Sequence, residues 1–337
     1  MISRFSTRCS GKPVPETDTD NAKAQSMCAG SRFSGSPGRS MCFLMLTVMW
    51  ISGCTQNSEP ALRYSKVDRW VVPADGARIP APRGLFSDTE NNVYVLDDAG
   101  RVLIYSADGK VQKSWHMPEY EAGRPEGIVR LNDSRIAVAD THYHRVVLFD
   151  VDGNVDSMFG EYGSGQGQFV YPVAIAEDPH GFLYVGEYGE QQRIQKFRPD
   201  GTFVLSFGEH GTGDGQFQRP SGIAWEDGTI YAVDAFNERI QLFSDDGQFL
   251  QVVNLPDNVA PFEYPYDVRV QGDELFVIEN KAARLTVMKR DGTLVGRYGK
   301  PGRATGNLFG PWSLTVLTDG RVLIADTGNH RIVELTP

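Results

Sequence analysis

The chain has 337 residues and a formal net charge of −10, with 43 acidic against 33 basic side chains. This length is enough to bury a sizeable core within one domain. The excess of acids argues against nucleic-acid binding, which needs clustered cations to neutralise phosphates. All four cysteines lie in the first 54 residues, so the rest of the chain has neither a disulfide nor a cysteine-based metal site.

The N-terminal segment has the pattern of an export signal. Residues 42–51 carry no charge, and such a run suits the apolar region of a signal peptide but is too short to span a membrane. The run leads into Ile51-Ser-Gly-Cys54, which resembles the lipobox of bacterial lipoproteins, where cleavage precedes lipidation of the cysteine. We predict a leader over 1–53, lipidation at Cys54 and a tether over 54–63. An ordinary signal peptide with an incidental cysteine is the alternative.

The remainder of the chain is a series of six similar units, each opened by a proline. Their apolar residues alternate or form short runs rich in Val, Ile, Phe and Tyr, which is typical of strands rather than helices. A period of about 40 to 50 residues with four short strands indicates a propeller blade. We predict an all-β, six-bladed β-propeller over residues 64–337. The prolines are Pro82, Pro125, Pro172, Pro220, Pro265 and Pro311.

The sixth unit stops before a fourth strand. The chain ends shortly after Arg331-Ile-Val-Glu-Leu335, and a ring left open would expose two sheet edges. Residues 66–73 resemble the fourth strand of the first unit, residues 110–118, because both contain a tryptophan and end in proline. We therefore predict that residues 61–73 supply the missing strand and close the ring.

Short motifs inside these units resemble the NHL repeat family, over about residues 80–337. This resemblance implies a six-bladed propeller built of NHL-type repeats. Unit five departs from the pattern, with Glu279 in the usual place of an aspartate. The motifs are Pro-x-Gly-Ile at 125–128 and 220–223, Asp-Thr-Gly-Asn-His-Arg-Ile at 326–332, and Phe-Gly-Glu-x-Gly followed by Gly-Gln-Phe at 159–169 and 207–217.

The two faces of the predicted disc differ in their loops. Turns between strands one and two or three and four share one face, and several are Asp-Gly pairs typical of hairpins. The connections between blades share the other face, here called the connector face, with the turns between strands two and three. These loops are longer and more variable, so we expect ligands to bind there. We expect their glycines to permit tight turns, and Phe169, Phe217, Phe262 and Phe309 to plug the spaces between blades.

The residue after each blade proline should lie at the mouth of the central channel. Four of these residues have charged or aromatic side chains. Together they offer a cation, an anion and two aromatic rings for a small polar ligand. In the alternative interpretation, the cation and the anion pair with each other and the aromatics plug the channel. The four residues are Arg83, Glu126, Tyr266 and Trp312, and Val173 and Ser221 complete the ring.

A second ring of candidates lies at the turns after the second strands. Exposed aromatics and imidazoles at turn tips suit recognition of a protein, peptide or glycan. An acid and an arginine bracket these turns at a five-residue spacing in four blades, as in Asp140 with Arg145. Because a catalytic pair needs one copy only, this repetition indicates a scaffold role. The candidate binding residues are His142, Tyr143, Tyr188, Phe236 and His330.

An enzyme is the second hypothesis. The amidating lyases related to NHL repeats hold zinc through histidines placed directly after blade prolines, and this chain has no histidine there. Calcium-dependent lactonases have a similar shape, but only Glu126 and Asp267 of this chain resemble their metal ligands. His142 and His144 lack an evident third ligand, and tetrahedral zinc needs at least three from the protein. We predict no catalytic residue, metal or cofactor, with a metal-dependent lyase or hydrolase at the channel mouth as the alternative.

These observations predict a binding module anchored by lipid in the bacterial envelope. By resemblance to enterobacterial sorting, Thr55 after the cysteine favours the outer membrane. The expected partner is a protein, peptide or glycan, and not a nucleic acid.

Overall fold

The computed structural model describes residues 59–121 and 124–337. The predicted leader, Cys54 and the first residues of the tether lie outside this described part. The described chain forms six four-stranded antiparallel sheets, which are the blades of a ring around a central channel. The prediction of an all-β, six-bladed propeller is confirmed. No helix within the described ranges is long and apolar enough to cross a lipid bilayer.

Each blade is a meander that runs from the channel outwards, and the first described strand, β1 (Lys66–Val71), belongs to the last blade. Blade one contains β2 (Pro82–Ser87), β3 (Val93–Asp97), β4 (Arg101–Tyr105) and β5 (Val111–His116). Blade two contains β6 (Gly127–Arg130), β7 (Ile136–Asp140), β8 (Arg145–Phe149) and β9 (Val155–Phe159). Blade three contains β10 (Tyr171–Glu177), β11 (Leu183–Tyr188), β12 (Arg193–Phe197) and β13 (Phe203–Phe207).

The connector to blade four holds the short parallel pair β14 (Glu209–His210) and β15 (Gln216–Phe217). Blade four contains β16 (Pro220–Glu226), β17 (Thr229–Asp234), β18 (Arg239–Ser244) and β19 (Phe249–Val253). Blade five contains β20 (Pro265–Gln271), β21 (Glu274–Glu279), β22 (Arg284–Lys289) and β23 (Leu294–Tyr298). Blade six contains β24 (Ser313–Val316), β25 (Val322–Asp326) and β26 (Arg331–Thr336), with β1 outermost.

The N-terminal strand closes the ring. β1 pairs antiparallel with β26, in register from Lys66 opposite Thr336 to Val71 opposite Arg331. Trp70 is buried against Tyr105 of blade one, and its indole Nε1 donates a hydrogen bond to Glu334 at 2.5 Å. The predicted closure is confirmed, and the shared sheet joins the two ends of the domain.

The residues just before β1 also contact the propeller. The backbone N of Arg297 donates to Pro60 O at 3.0 Å, and Leu62 N donates to Arg297 O at 2.9 Å. The Glu59 carboxylate lies 2.5 Å from the Arg297 guanidinium. Residues 59–62, which fall within the predicted tether, therefore lie along β23, while the boundaries of leader and tether stay predictions.

Steric contacts explain why glycine stands in the Pro-x-Gly motif. The innermost strands β2 and β16 shift register directly after their opening prolines, which turns the next side chain towards the channel. One residue further on, neighbouring innermost strands approach closely. A Cβ on Gly84 would lie 2.3 Å from Glu126 O, and one on Gly222 would lie 2.7 Å from Asp267 Cα. Only glycine fits such an approach.

The acid and arginine that bracket the turns hold the connectors in place. Asp234 accepts a hydrogen bond from Arg239 Nε at 2.9 Å, and Arg239 Nη2 donates to the connector carbonyls of Gly213 and Gln216. The same acid accepts the backbone N–H of Gln218 at 2.7 Å. The ion pair between the acid and the arginine recurs in all six blades, as Asp97–Arg101, Asp140–Arg145, Glu187–Arg193, Asp234–Arg239, Glu279–Arg284 and Asp326–Arg331.

Three of the four predicted aromatic plugs are correct. Phe169, Phe217 and Phe262 are buried between blades, but Phe309 is 47% exposed, and Leu308 is buried in its place. The last connector has one more residue before its phenylalanine, so Leu308 follows the glycine at the spacing that Phe169 has in its own connector. Phe309 is therefore left on the connector face.

Candidate functional site at the connector face

The residues that follow the blade prolines meet at one mouth of the channel, as predicted. Arg83 and Glu126 form an ion pair, with Arg83 Nη2 and Glu126 Oε1 2.5 Å apart and both side chains buried. The Arg83 guanidinium also lies 3.9 Å from the ring centroid of Trp312. Burial raises the pKa of Tyr266, so its hydroxyl stays protonated and donates to Glu126 Oε2 at 2.7 Å.

This network fills the mouth. The cavity that remains between the innermost strands has a volume of about 30 Å³, which is room for only one or two water molecules. Ser221 and Val173 also line it, and Ser221 Oγ is buried with no hydrogen-bond partner among the residues that the structure describes. The geometry agrees with the plugged alternative, because the charges that were candidates for a ligand satisfy each other.

A second layer, which sequence reasoning missed, comes from the residues that precede the blade prolines. Tyr171, Arg219 and Tyr264 stand directly before Pro172, Pro220 and Pro265. Their position directly before the blade prolines is a sequence signal that could have identified them. Arg219 and Tyr264 have φ angles of 68° and 56°, a left-handed conformation that is strained for bulky residues.

These residues extend into an aromatic belt on the connector face. Contacts run from ring to ring: Tyr162 to His144 at 4.9 Å, His144 to Tyr171 at 5.9 Å, and Tyr171 to Tyr188 at 5.0 Å. The Arg219 guanidinium lies 4.1 Å from the Tyr188 ring centroid, and its Nη2 donates to the Tyr266 hydroxyl at 3.2 Å. Beyond Tyr266, the belt continues through Tyr264 to Phe236, whose rings stack at 5.3 Å. The belt thus comprises Tyr162, His144, Tyr171, Tyr188, Arg219, Tyr264 and Phe236.

The predicted turn-tip residues do not all belong to this belt. Tyr188 and Phe236 do, and His142 lies 6.0 Å from the Tyr171 ring. Partial burial lowers the pKa of His142, so its imidazole is neutral at pH 7. Tyr143 stacks under the Arg145 guanidinium at 4.9 Å. His330 lies apart on blade six, where its Nδ1 is 2.8 Å from Ile79 O.

Exposed aromatic rings concentrate on this face. Within the described residues, four Phe, Tyr or Trp side chains are about half exposed or more, and all four are on interblade connectors or a turn between strands two and three. A ring that is half exposed on one face of a rigid disc is available to a partner. The four are Tyr120 at 47%, Tyr162 at 64%, Phe236 at 55% and Phe309 at 47%.

The carboxylates weighed for metal binding have other partners. Glu126 is held by Arg83 and Tyr266, and Asp267 by Arg269 at 2.7 Å and Ser313 at 2.6 Å. Over residues 59–121 and 124–337, no three His, Cys, Asp or Glu side chains are grouped so as to hold a metal ion.

Six meandering blades, closed by an N-terminal strand and with a plugged mouth ringed by aromatics, define the protein as a six-bladed β-propeller. Residues 310–335 match the family model of the NHL repeat, which confirms the resemblance seen in the sequence, and the chain contains an NHL repeat there. A segment of 56 residues is 39% identical to the RING finger protein nhl-1 of Caenorhabditis elegans and covers 17% of this chain and 6% of that protein.

Solved structures with a similar fold include a lyase and a chain of the nidogen/laminin complex. The chain superposes on virginiamycin B lyase from Staphylococcus aureus with a TM-score of 0.57 and 15% identity, covering 81% of this chain and 99% of the lyase. A chain of the nidogen/laminin complex gives a TM-score of 0.55 with 20% identity, covering 73% and 86%. At such identities the likeness shows the fold alone, and a propeller fold does not define a function.

Proposed function

We propose that this protein is a lipid-anchored binding propeller of the bacterial envelope, and that it holds a protein, peptide or glycan partner on its connector face. The observation that carries the binding function is the aromatic belt from Tyr162 to Phe236. Aromatic rings provide a large contact area at a small cost in conformational entropy, and they dominate interface energetics.

Two features of the belt support a binding role over a purely structural one. Arg219 and Tyr264 hold strained left-handed backbone conformations that place a cation and a ring beside the mouth, and such strain concentrates at functional sites. Phe236 and Tyr162 remain more than half exposed although they stack on neighbouring rings. Rings needed only for stability would gain more by burial.

The envelope location is part of the proposal and is supported by sequence alone. The uncharged run over residues 42–51 and the Ile51-Ser-Gly-Cys54 motif supply a signal and a lipidation site. Stable anchoring there places the propeller where envelope proteins and glycans are abundant.

Capture from solubilised envelope tests the binding proposal. The full chain is used as bait, together with the double variant Tyr162→Ala/Phe236→Ala and the control Val151→Ala. Val151 is 49% exposed and lies on the opposite face, in the turn before β9. We expect the partner to be retained by the wild type and by Val151→Ala and lost by the double variant. Digesting the envelope first with a protease or with glycosidases identifies the class of partner.

Equal capture by all three baits would refute a connector-face site. The enzyme alternative is tested separately by elemental analysis of the purified protein after reconstitution with zinc or calcium. A stoichiometric metal would favour a lyase or hydrolase and count against the binding module.

A further inference from the structure

The opposite mouth of the channel contains a larger cavity than the connector-face mouth. Its volume is about 230 Å³, against about 30 Å³ at the other end. Five blades contribute its lining at the ends of their innermost strands or in the turns that follow. The lining residues include Phe86, Arg130, Asn132, Glu177, Trp225 and Arg269.

The lining of this cavity combines aromatic and aliphatic side chains. Phe86 and Trp225 are both half-buried, and the Trp225 indole is fixed because its Nε1 donates to Asp245 Oδ1 at 2.6 Å. Ile175 and Ile223 also line the cavity. A pocket of this kind suits a small ligand with an apolar body and few polar groups.

The two arginines of the lining are already neutralised. Arg269 Nη1 lies 2.7 Å from Asp267 Oδ1, and its Nη2 donates to Leu85 O at 2.8 Å across the channel. Arg130 Nε lies 3.8 Å from Asp88 Oδ2, and its Nη2 donates to Ser134 Oγ at 3.2 Å. Neither guanidinium is left as an unbalanced charge for an anionic ligand.

Glu177 differs from these two arginines because its charge is not balanced by an ion pair among the residues that the structure describes. It is the one acid in the lining, and no Lys, Arg or His of the described chain lies within ion-pair distance of it, although the neighbouring acids Asp178 and Asp133 pair with Lys196 and Arg135. Its Oε2 accepts the backbone N–H of Asn132 at 2.7 Å. Burial, aided by the charges of Asp133 and Asp178 and opposed by that of Arg135, raises the pKa of Glu177 to about 7.

We propose that this cavity is a second binding site, for a small organic ammonium compound. The ligand's cation would pair with the Glu177 carboxylate, and its alkyl groups would contact Phe86 and Trp225, an arrangement in which aromatic rings attract organic cations. The site is on the face away from the aromatic belt and is independent of the partner proposed there.

Choline is a suitable probe because its neutral isostere, 3,3-dimethylbutan-1-ol, has the same shape without the charge. Binding of both to the full chain is measured by calorimetry at pH 8 and pH 6, with n-butylammonium as a second cation. We expect saturable binding of one cation per chain, at least tenfold weaker binding of the isostere, and weaker cation binding at pH 6 because Glu177 is then protonated.

Matched variants locate the site. Glu177 and Glu226 end the corresponding strands of blades three and four, but only Glu177 lines the cavity. Glu177→Gln should weaken choline binding at least tenfold, Trp225→Phe should weaken it less, and Glu226→Gln should leave it unchanged. The proposal is overturned if neither cation binds saturably, if the isostere binds as tightly as choline, or if Glu177→Gln binds choline like the wild type. Thermal melts verify that each variant is folded.

Discussion

Arg83 of blade one and Glu126 of blade two form a buried ion pair that closes the connector-face mouth of the channel. The pair is enclosed by Trp312, which stacks on the guanidinium, and by Tyr266, which donates to the carboxylate. Residues of four blades, namely blades one, two, five and six, therefore meet at this pair. Its role in the structure is to close this mouth.

Removing one partner of this pair should be costly. Glu126→Gln leaves the Arg83 charge buried without an anion, and we expect a loss of about 3–5 kcal/mol in the free energy of unfolding by urea. The exposed pair Lys113–Asp152 is the control, and Lys113→Met should cost about 0–1 kcal/mol. Similar losses for the two variants would show that the mouth is not held by the ion pair.

Ring closure should depend on Trp70. Replacing this buried indole with alanine leaves a cavity beside Tyr105 and Glu334, and we expect Trp70→Ala to lower the free energy of unfolding by about 3–5 kcal/mol. Arg69 is exposed on the same strand, so Arg69→Ala should have little effect. If both variants melt at the wild-type temperature, β1 does not contribute to closure.

The close approach of blades one and two should make Gly84 irreplaceable. A Cβ there would collide with the backbone carbonyl of Glu126 at 2.3 Å, and we expect Gly84→Ala to cost about 3 kcal/mol or more. Gly228 has open space around it but a φ of 73°, so Gly228→Ala should cost only about 1 kcal/mol. Denaturant titrations compare the two, and an equal cost would exclude the steric explanation.

Glu177 should make stability depend on pH. Its pKa is raised from 4.5 to about 7 in the folded protein, so between those values the folded chain binds more protons than the unfolded chain. Stability should therefore fall as the pH rises from about 4.5 to about 7. Because the side chain is half exposed, we expect Glu177→Gln to stabilise the protein by only about 1–2 kcal/mol at pH 8.

Unfolding curves measured from pH 4 to pH 8 test this expectation, with Glu226→Gln as the control. A pH dependence that is the same in Glu177→Gln and in the wild type would contradict the assignment.

Lipidation should occur at Cys54 and at no other cysteine. Cells grown with an alkyne-labelled fatty acid should yield a labelled wild-type protein, and Cys54→Ser should abolish the label and release the protein from membranes. Cys42→Ser lies within the same segment and should keep the label. Label retained in Cys54→Ser would exclude a lipobox at this position.

Most of the fold was predictable because the blades of a propeller share the same local sequence pattern. Pro220-Ser-Gly-Ile223 and its counterparts indicated the blades, and the tryptophan and proline of residues 66–73 indicated the closing strand, as β1 confirms. The error at Phe309 arose from one extra residue in a connector. Such an insertion changes which side chain reaches the space between blades. The motif alone does not show this, because it identifies the phenylalanine and not its spacing from the glycine.

The sequence by itself determined the number of blades, the strand that closes them and the residues that face the channel, because each follows from a pattern repeated along the chain. Only the tertiary structure decided what those residues do together. Arg83 pairs with Glu126 although 43 positions separate them. Glu177 has no ion-pair partner among the described residues, although Arg130 and Arg269 line the same cavity. Pairing and cavity volume depend on distances between side chains of different blades, and those distances exist only once the ring has closed.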